Sequence, residues 1–120
     1  MVVTEIYKLP PFDTGRYEGH EFLMSNGNAT LTVHVAELSP VKIQFDRIRW
    51  HEFTALYNCS PEQVSSAYFK LVELVQSKRL IEHVGNDRAT AKAYRELHHY
   101  RIFLDESGCH EVFAQSWQSL

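Results

Sequence analysis

Cysteine is nearly missing from this chain of 120 residues: Cys59 and Cys109 are the only two. That excludes the disulfide-dense frameworks of small secreted domains and leads us to expect two free thiols in a reducing, cytoplasmic setting. The two are not expected to bond each other, because one precedes a helix start and the other sits beside a hairpin tip. Long apolar runs are also missing. None approaches the ~18–20 residues that span a bilayer, so no membrane span is expected. The start, Met1-Val2-Val3-Thr4-Glu5-Ile6-Tyr7, has no basic region ahead of an apolar one and does not read as a signal peptide. Positive charge is scarce: 12 Lys and Arg against 15 Asp and Glu give a formal net charge of −3. Phosphate recognition needs a clustered basic surface, so nucleic acid is not the expected partner. There is no glycine-rich phosphate loop, no dinucleotide fingerprint and no Gly-x-Ser-x-Gly elbow. No cofactor, no metal and no catalytic activity are expected on these grounds.

The rest of the composition is that of a folded protein. Hydrophobic residues make up 44% and charged residues 22%, which is ordinary for a globular chain and wrong for a disordered one. The length favours a single domain over 1–120, burying roughly two-thirds of the surface its unfolded chain exposes.

Periodicity divides the chain into strands, then a helix, then a terminal hairpin. Val2 to Leu9 reads as a strand stopped by Pro10-Pro11. Phe12 to Gly19 is irregular, and His20 to Ser25 is a second strand. Asn26-Gly27 is a hairpin turn, since this pair tolerates the positive φ angles a two-residue connection demands. In Thr30 to Val35 the residues Leu31, Val33 and Val35 alternate with polar ones, as in a half-buried strand. Val41, Ile43 and Phe45 continue the alternation. It slips at Asp46-Arg47, because Ile48 and Trp50 resume on the opposite parity. That predicts either one bent strand with a bulge or two strands at a tight corner.

Ser60-Pro61-Glu62-Gln63 has the form of a capping box with proline in the first turn. Val64, Ala67, Tyr68, Leu71 and Val75 then recur at spacings of three and four. Together they predict one helix over about 61–76, packed on a sheet through that stripe. A further helical stretch from Ser77 to Val84 would end at Gly85, with a polar loop to Ala93. The chain closes on a hairpin with Leu97–Leu104 and Cys109–Trp117 as its arms. The predicted register sets Ile102 against Val112, Tyr100 against Ala114 and Arg101 against Phe113. Strands followed by a helix and a hairpin give an α+β fold. The expectation is a mostly antiparallel sheet, one main helix packed on a face and a C-terminal β-hairpin.

Chemistry would most naturally reside in the seven histidines. His20-Glu21, His51-Glu52 and His110-Glu111 lack a second histidine at ligand spacing, and all fall on strands or turns. Glu96-x-x-His99 has a helical metal-ligand spacing but belongs to a predicted strand, where residues three apart diverge. For His98-His99 the plain reading is one core imidazole and one solvated one. Cys109-His110 is a thiolate pair only if the two side chains meet, and strand neighbours point apart. Trp50, between Arg49 and Glu52, supports two readings of equal standing: a core residue, or an interface anchor of the kind tryptophan and arginine supply.

The segments Ile43-x-Phe45-x-x-Ile48-x-Trp50 and His99-Tyr100-Arg101-Ile102-Phe103-Leu104-Asp105-Glu106-x-Gly108-Cys109-x-Glu111-Val112-x-Ala114, with the capped helix between them, resemble small bacterial proteins akin to the immunity proteins of polymorphic toxins. The resemblance covers about the last two-thirds of the chain. It implies a protein that neutralises one cognate toxin by covering its active site. Mild acidity would suit a basic toxin.

Two function classes follow. The first is a protein-binding inhibitor with Arg49, Trp50, Glu52, Asp105 and Glu106 as its partner-binding patch. The second is a small enzyme or ligand-binding domain built on His98, His99, Cys109 and His110, which requires those side chains to converge on a pocket.

Overall fold

A computed structural model describes residues 2–86 and 97–120 of the protein. Its strands are β1 (Val2–Lys8), β2 (Tyr17–Ser25), β3 (Asn28–Val35), β4 (Val41–Asp46), β5 (Trp50–Ala55), β6 (Lys70–Val75), β7 (His98–Leu104), β8 (Gly108–Ala114) and β9 (Ser116–Ser119). Its helices are α1 (Pro61–Ala67) and α2 (Lys78–Asn86). The fold is α+β with mostly antiparallel sheet, as expected. The strands form two sheets: one in the order β1-β6-β7-β8-β5, the other in the order β2-β3-β4-β9.

Local chemistry sets each connection. Asn26 and Gly27 take φ of 54° and 80°, and Ser25 pairs with Asn28, so the β2–β3 hairpin closes on two residues. At the parity slip Arg47 takes φ 51°, and the chain leaves one sheet at Asp46 to join the other at Trp50. The tight corner is therefore the correct alternative.

The β7–β8 hairpin forms with a register two residues from the expected one. Ile102 pairs with His110, Tyr100 with Val112 and Arg101 with Glu111. The cause is the turn: Leu104 already pairs with Gly108, which leaves only Asp105, Glu106 and Ser107 as loop. A shift of two preserves which face each side chain takes, because the side-chain period is two.

The predicted helix over 61–76 does not form as one element. The capping box is present, with the Gln63 N–H donating to Ser60 Oγ at 3.2 Å and the Ser60 N–H to Gln63 Oε1 at 2.9 Å. Yet α1 ends at Ala67, Phe69 takes φ 48°, and Leu71-Val72-Glu73-Leu74-Val75 runs on as strand β6 between β1 and β7. Val64 and Ala67 pack on the sheet as predicted; Leu71 is buried from within a strand. The helical stretch after Ser77 is α2, which runs past Gly85. The loop predicted onward to Ala93 falls outside the described residues from Asp87.

The five-stranded sheet is covered on both faces, so nearly all of β7 and β8 is buried. One face, with Tyr100, Ile102, Leu104, Val112 and Ala114, meets Leu31, Val33, Val35, Ile43 and Phe45 of the second sheet. The other carries Val72, Leu74, Phe103 and Cys109 under α1. Cys59 and Cys109 are both free, as expected, but the reason offered was wrong. Cys59 packs against the cluster that contains Cys109, and its thiol donates to the Thr54 carbonyl, on the residue paired with Cys109.

Candidate functional site

The helix-covered face of the five-stranded sheet holds an ionic cluster. Odd-numbered positions of β7 and β8 point there, which places His99, Arg101 and Glu111 side by side, all at most 6% exposed. Glu111 Oε1 accepts from His99 Nε2 at 2.8 Å and from Arg101 Nε and Nη2 at 3.3 and 3.2 Å. Its Oε2 accepts from Gln63 Nε2 at 2.9 Å. Burial alone would raise the Glu111 carboxyl, but the hydrogen bond from His99, the Arg101 charge and Gln63 outweigh it and hold it at about 2. Arg101 also donates to Glu62 at 2.7 Å and Ser66 at 3.1 Å on α1. The cluster thus ties α1 to the sheet.

It ties α2 as well. Ser77, just before α2, accepts the Leu80 N–H at 3.2 Å and lies 2.5 Å from His99 Nδ1. Because the Glu111 carboxylate can only accept, His99 carries a proton on Nε2, and in the neutral ring Nδ1 accepts from the Ser77 hydroxyl. Ser77, His99 and Glu111 are the residue types of a hydrolytic triad in line. The Ser77 hydroxyl, however, is 2% exposed and engaged as a helix cap. A nucleophile must reach its substrate, so the arrangement reads as a latch on α2.

Above this latch lies a shallow, open depression of about 220 Å³ lined by Trp50, Arg79, Glu82, His83 and Phe113. The Arg79 guanidinium sits 4.6 Å over the Trp50 ring, and Glu52 accepts from it at 3.0 and 3.4 Å. Trp50 stacks in turn on Phe113, with centroids 4.4 Å apart. Trp50 is neither core nor free: it is half-buried, with one face packed and the other held under the cation.

Of the expected partner-binding residues, Arg49, Trp50 and Glu52 share this end of β5. Asp105 and Glu106 do not. Trp50 pairs with Phe113 and Ala55 with Gly108, so the turn holding Asp105 and Glu106 lies beyond the far end of β5. The five residue steps from Trp50 to Ala55 alone span about 17 Å, and the turn lies beyond them. There Asp105 accepts from the Tyr68 hydroxyl at 3.0 Å, and Ser107 bonds the Tyr17 hydroxyl at 2.6 Å.

The alternative cluster of His98, His99, Cys109 and His110 is divided by the sheet. His99 and Cys109 face the helices. His110 faces the second sheet, and His98 is partly exposed against Glu73 at 3.0 Å. One core imidazole and one solvated one is what His98-His99 provides. Burial pushes the Cys109 thiol up to about 12, which makes it inert. Among the described residues, no three His, Cys, Asp or Glu side chains are arranged to hold a metal ion; Glu96 is outside them.

His110 instead joins two histidines from elsewhere in the chain. Its Nε2 lies 2.8 Å from His20 Nδ1, and its Nδ1 lies 2.9 Å from His51 Nε2. Sequence reasoning missed Arg79, Glu62 and this histidine string. Arg79 follows a serine cap by two residues, a spacing that could have placed it in the first turn of a helix; nothing local marks the rest. No family model, no curated protein and no solved structure matches the chain.

Proposed function

We propose that the protein acts by binding another protein, as an inhibitor in the manner of a toxin immunity protein, with the Trp50 end of β5 as its anchor. The observation that carries this reading is the Trp50–Arg79 stack. An indole and a guanidinium, set in an open depression and braced by Glu52, join the residue types that concentrate binding energy at interfaces. Bracing matters because a preorganised side chain loses little freedom when a partner arrives. Asp105 and Glu106 form a second, acidic position. A footprint of about 800 Å² per partner is roughly 30 Å across and reaches from one to the other. The depression is shallow, and the Glu111 carboxylate beneath it is engaged by His99, Arg101 and Gln63, which suits a surface contact better than turnover of a small molecule.

Affinity purification of the tagged protein from its native cells, beside a Trp50→Ala/Arg79→Ala variant, tests the reading. A partner retained by the parent protein should be lost from the variant, since truncating an anchor costs at least ~2 kcal/mol. Co-expressed with that partner, the parent protein should restore growth and the variant should not. A partner held equally by both would remove the proposed site, and a partner harmless to cells would remove the immunity reading.

A further inference from the structure

Three imidazoles join the two sheets at a place where no backbone ladder does. β2 is an edge of the four-stranded sheet and β5 an edge of the five-stranded one. His20 of β2, His110 of β8 and His51 of β5 form one string across this seam, with N···N distances of 2.8 and 2.9 Å. Phe22 stacks on His51 with centroids 3.8 Å apart and planes 8° apart, and Phe53 packs on both His20 and His110.

Elementary proton accounting limits what the string can hold. A neutral imidazole has one N–H and one lone pair. Both nitrogens of His110 face other imidazoles, so three neutral rings must donate in one direction along the string. A single extra proton fits. On His51 or His20 it enters at an outer nitrogen and fixes the direction of donation. On His110 it lets that ring donate both ways. Two extra protons do not fit on any two rings, because some joint then has two N–H groups facing each other at hydrogen-bond distance. Together with the like charges, that repels.

We propose that this string is an acid-operated joint, which accepts one proton with the seam closed and parts β2 from β5 and β8 when it takes the second. The surroundings offer little to offset the second charge. From β5, Glu52 favours charge on His51. From β2, Glu21 is turned to the opposite face, where it meets His34 at 3.3 Å. Glu111 of β8 points to the helix side. β3 and β7 bring Val33 and Ile102 as the neighbours paired with His20 and His110. Parting the seam would uncover Phe22 and the apolar faces behind it.

The experiment follows imidazole ¹⁵N shifts and amide hydrogen exchange of His20 and Phe22 in the full chain from pH 7.5 to 3.5. One proton per string should bind while these amides stay protected. Below that, exchange corrected for its intrinsic pH dependence should rise at least ten-fold per pH unit, the slope of one further proton. In His20→Phe the string is a pair, and opening should move at least one pH unit lower. Two imidazolium rings observed in the string with the β2 amides still protected would overturn the proposal, with or without the variant. So would an unchanged opening pH in a folded His20→Phe protein.

Discussion

Glu111 is a buried carboxylate with four donor contacts, from His99, Arg101 and Gln63. Removing it leaves the buried Arg101 charge with only the half-exposed Glu62 carboxylate at 2.7 Å and takes the acceptor from His99 and Gln63; breaking a buried pair typically costs about 3–5 kcal/mol. Glu111→Ala should therefore lose that much in urea denaturation, far more than Glu37→Ala on the exposed pair with Arg16 at 2.9 Å, where about 0–1 kcal/mol is expected. Comparable losses in the two variants would show that the cluster is not what latches the helices. Leu71→Ala should cost about 2–5 kcal/mol, because Leu71 is fully buried between the two sheets. A loss under about 0.5 kcal/mol would mean that Leu71 is not in the core. Little of this cluster was legible in the sequence. His99 could be assigned to the core from the parity of its strand. Glu62, Gln63 and Ser77, with Arg79 at 3.8 Å from Glu111, meet their partners in it from 22 to 48 positions away, and no local spacing encodes such a meeting.

At the scale of elements, the instructive failure is the predicted helix over 61–76. Its start was legible because a capping box is chemistry between residues three apart. Its end was not, because Leu71 to Val75 fits a helical stripe and a buried strand equally well, and periodicity does not decide short apolar runs. Tertiary pairing decided it: β6 completes the sheet between β1 and β7. The hairpin shows the same division. Its face pattern was readable, while its register depended on Gly108. That glycine takes φ 146°, and an added Cβ would lie 2.1 Å from the Thr54 carbonyl oxygen of β5. Gly108→Ala must therefore displace either the turn or the β5–β8 ladder. We expect a loss of about 1–3 kcal/mol, the range for a residue forced into sparsely allowed backbone space. Gly27→Ala, also at positive φ but with nothing within 4 Å, separates steric from conformational cost. If Gly108→Ala is no worse than Gly27→Ala, the close approach to β5 does not exist.

For the whole molecule, the two polar systems make acid the condition that undoes the fold. Burial, reinforced by repulsion from His20 and His51, holds the His110 pKa at about 3 against an ordinary 6.5. Its folded form is neutral, so the unfolded chain takes up the proton first, and stability drains as pH falls from 6.5 toward 3. Glu111 is held at about 2 against 4.5. Its folded form is charged, so its contribution is complete above 4.5 and is lost as pH falls from there toward 2. Both slopes have the same sign, and they overlap between 4.5 and 3. Both losses are drawn from the roughly 5–15 kcal/mol that holds a domain of this kind together. Stability measured by urea denaturation should therefore be flat above about pH 7, fall gently below 6.5 and fall steeply below 4.5. Glu111→Gln, although weaker at neutral pH, should lose the steep lower part and keep the gentle upper one. His20→Phe should keep the lower part and flatten the upper. A profile that stays level from pH 7 to 4 would mean that the histidine string is open to water, and the sheets would then have to be held at that edge by apolar contact alone.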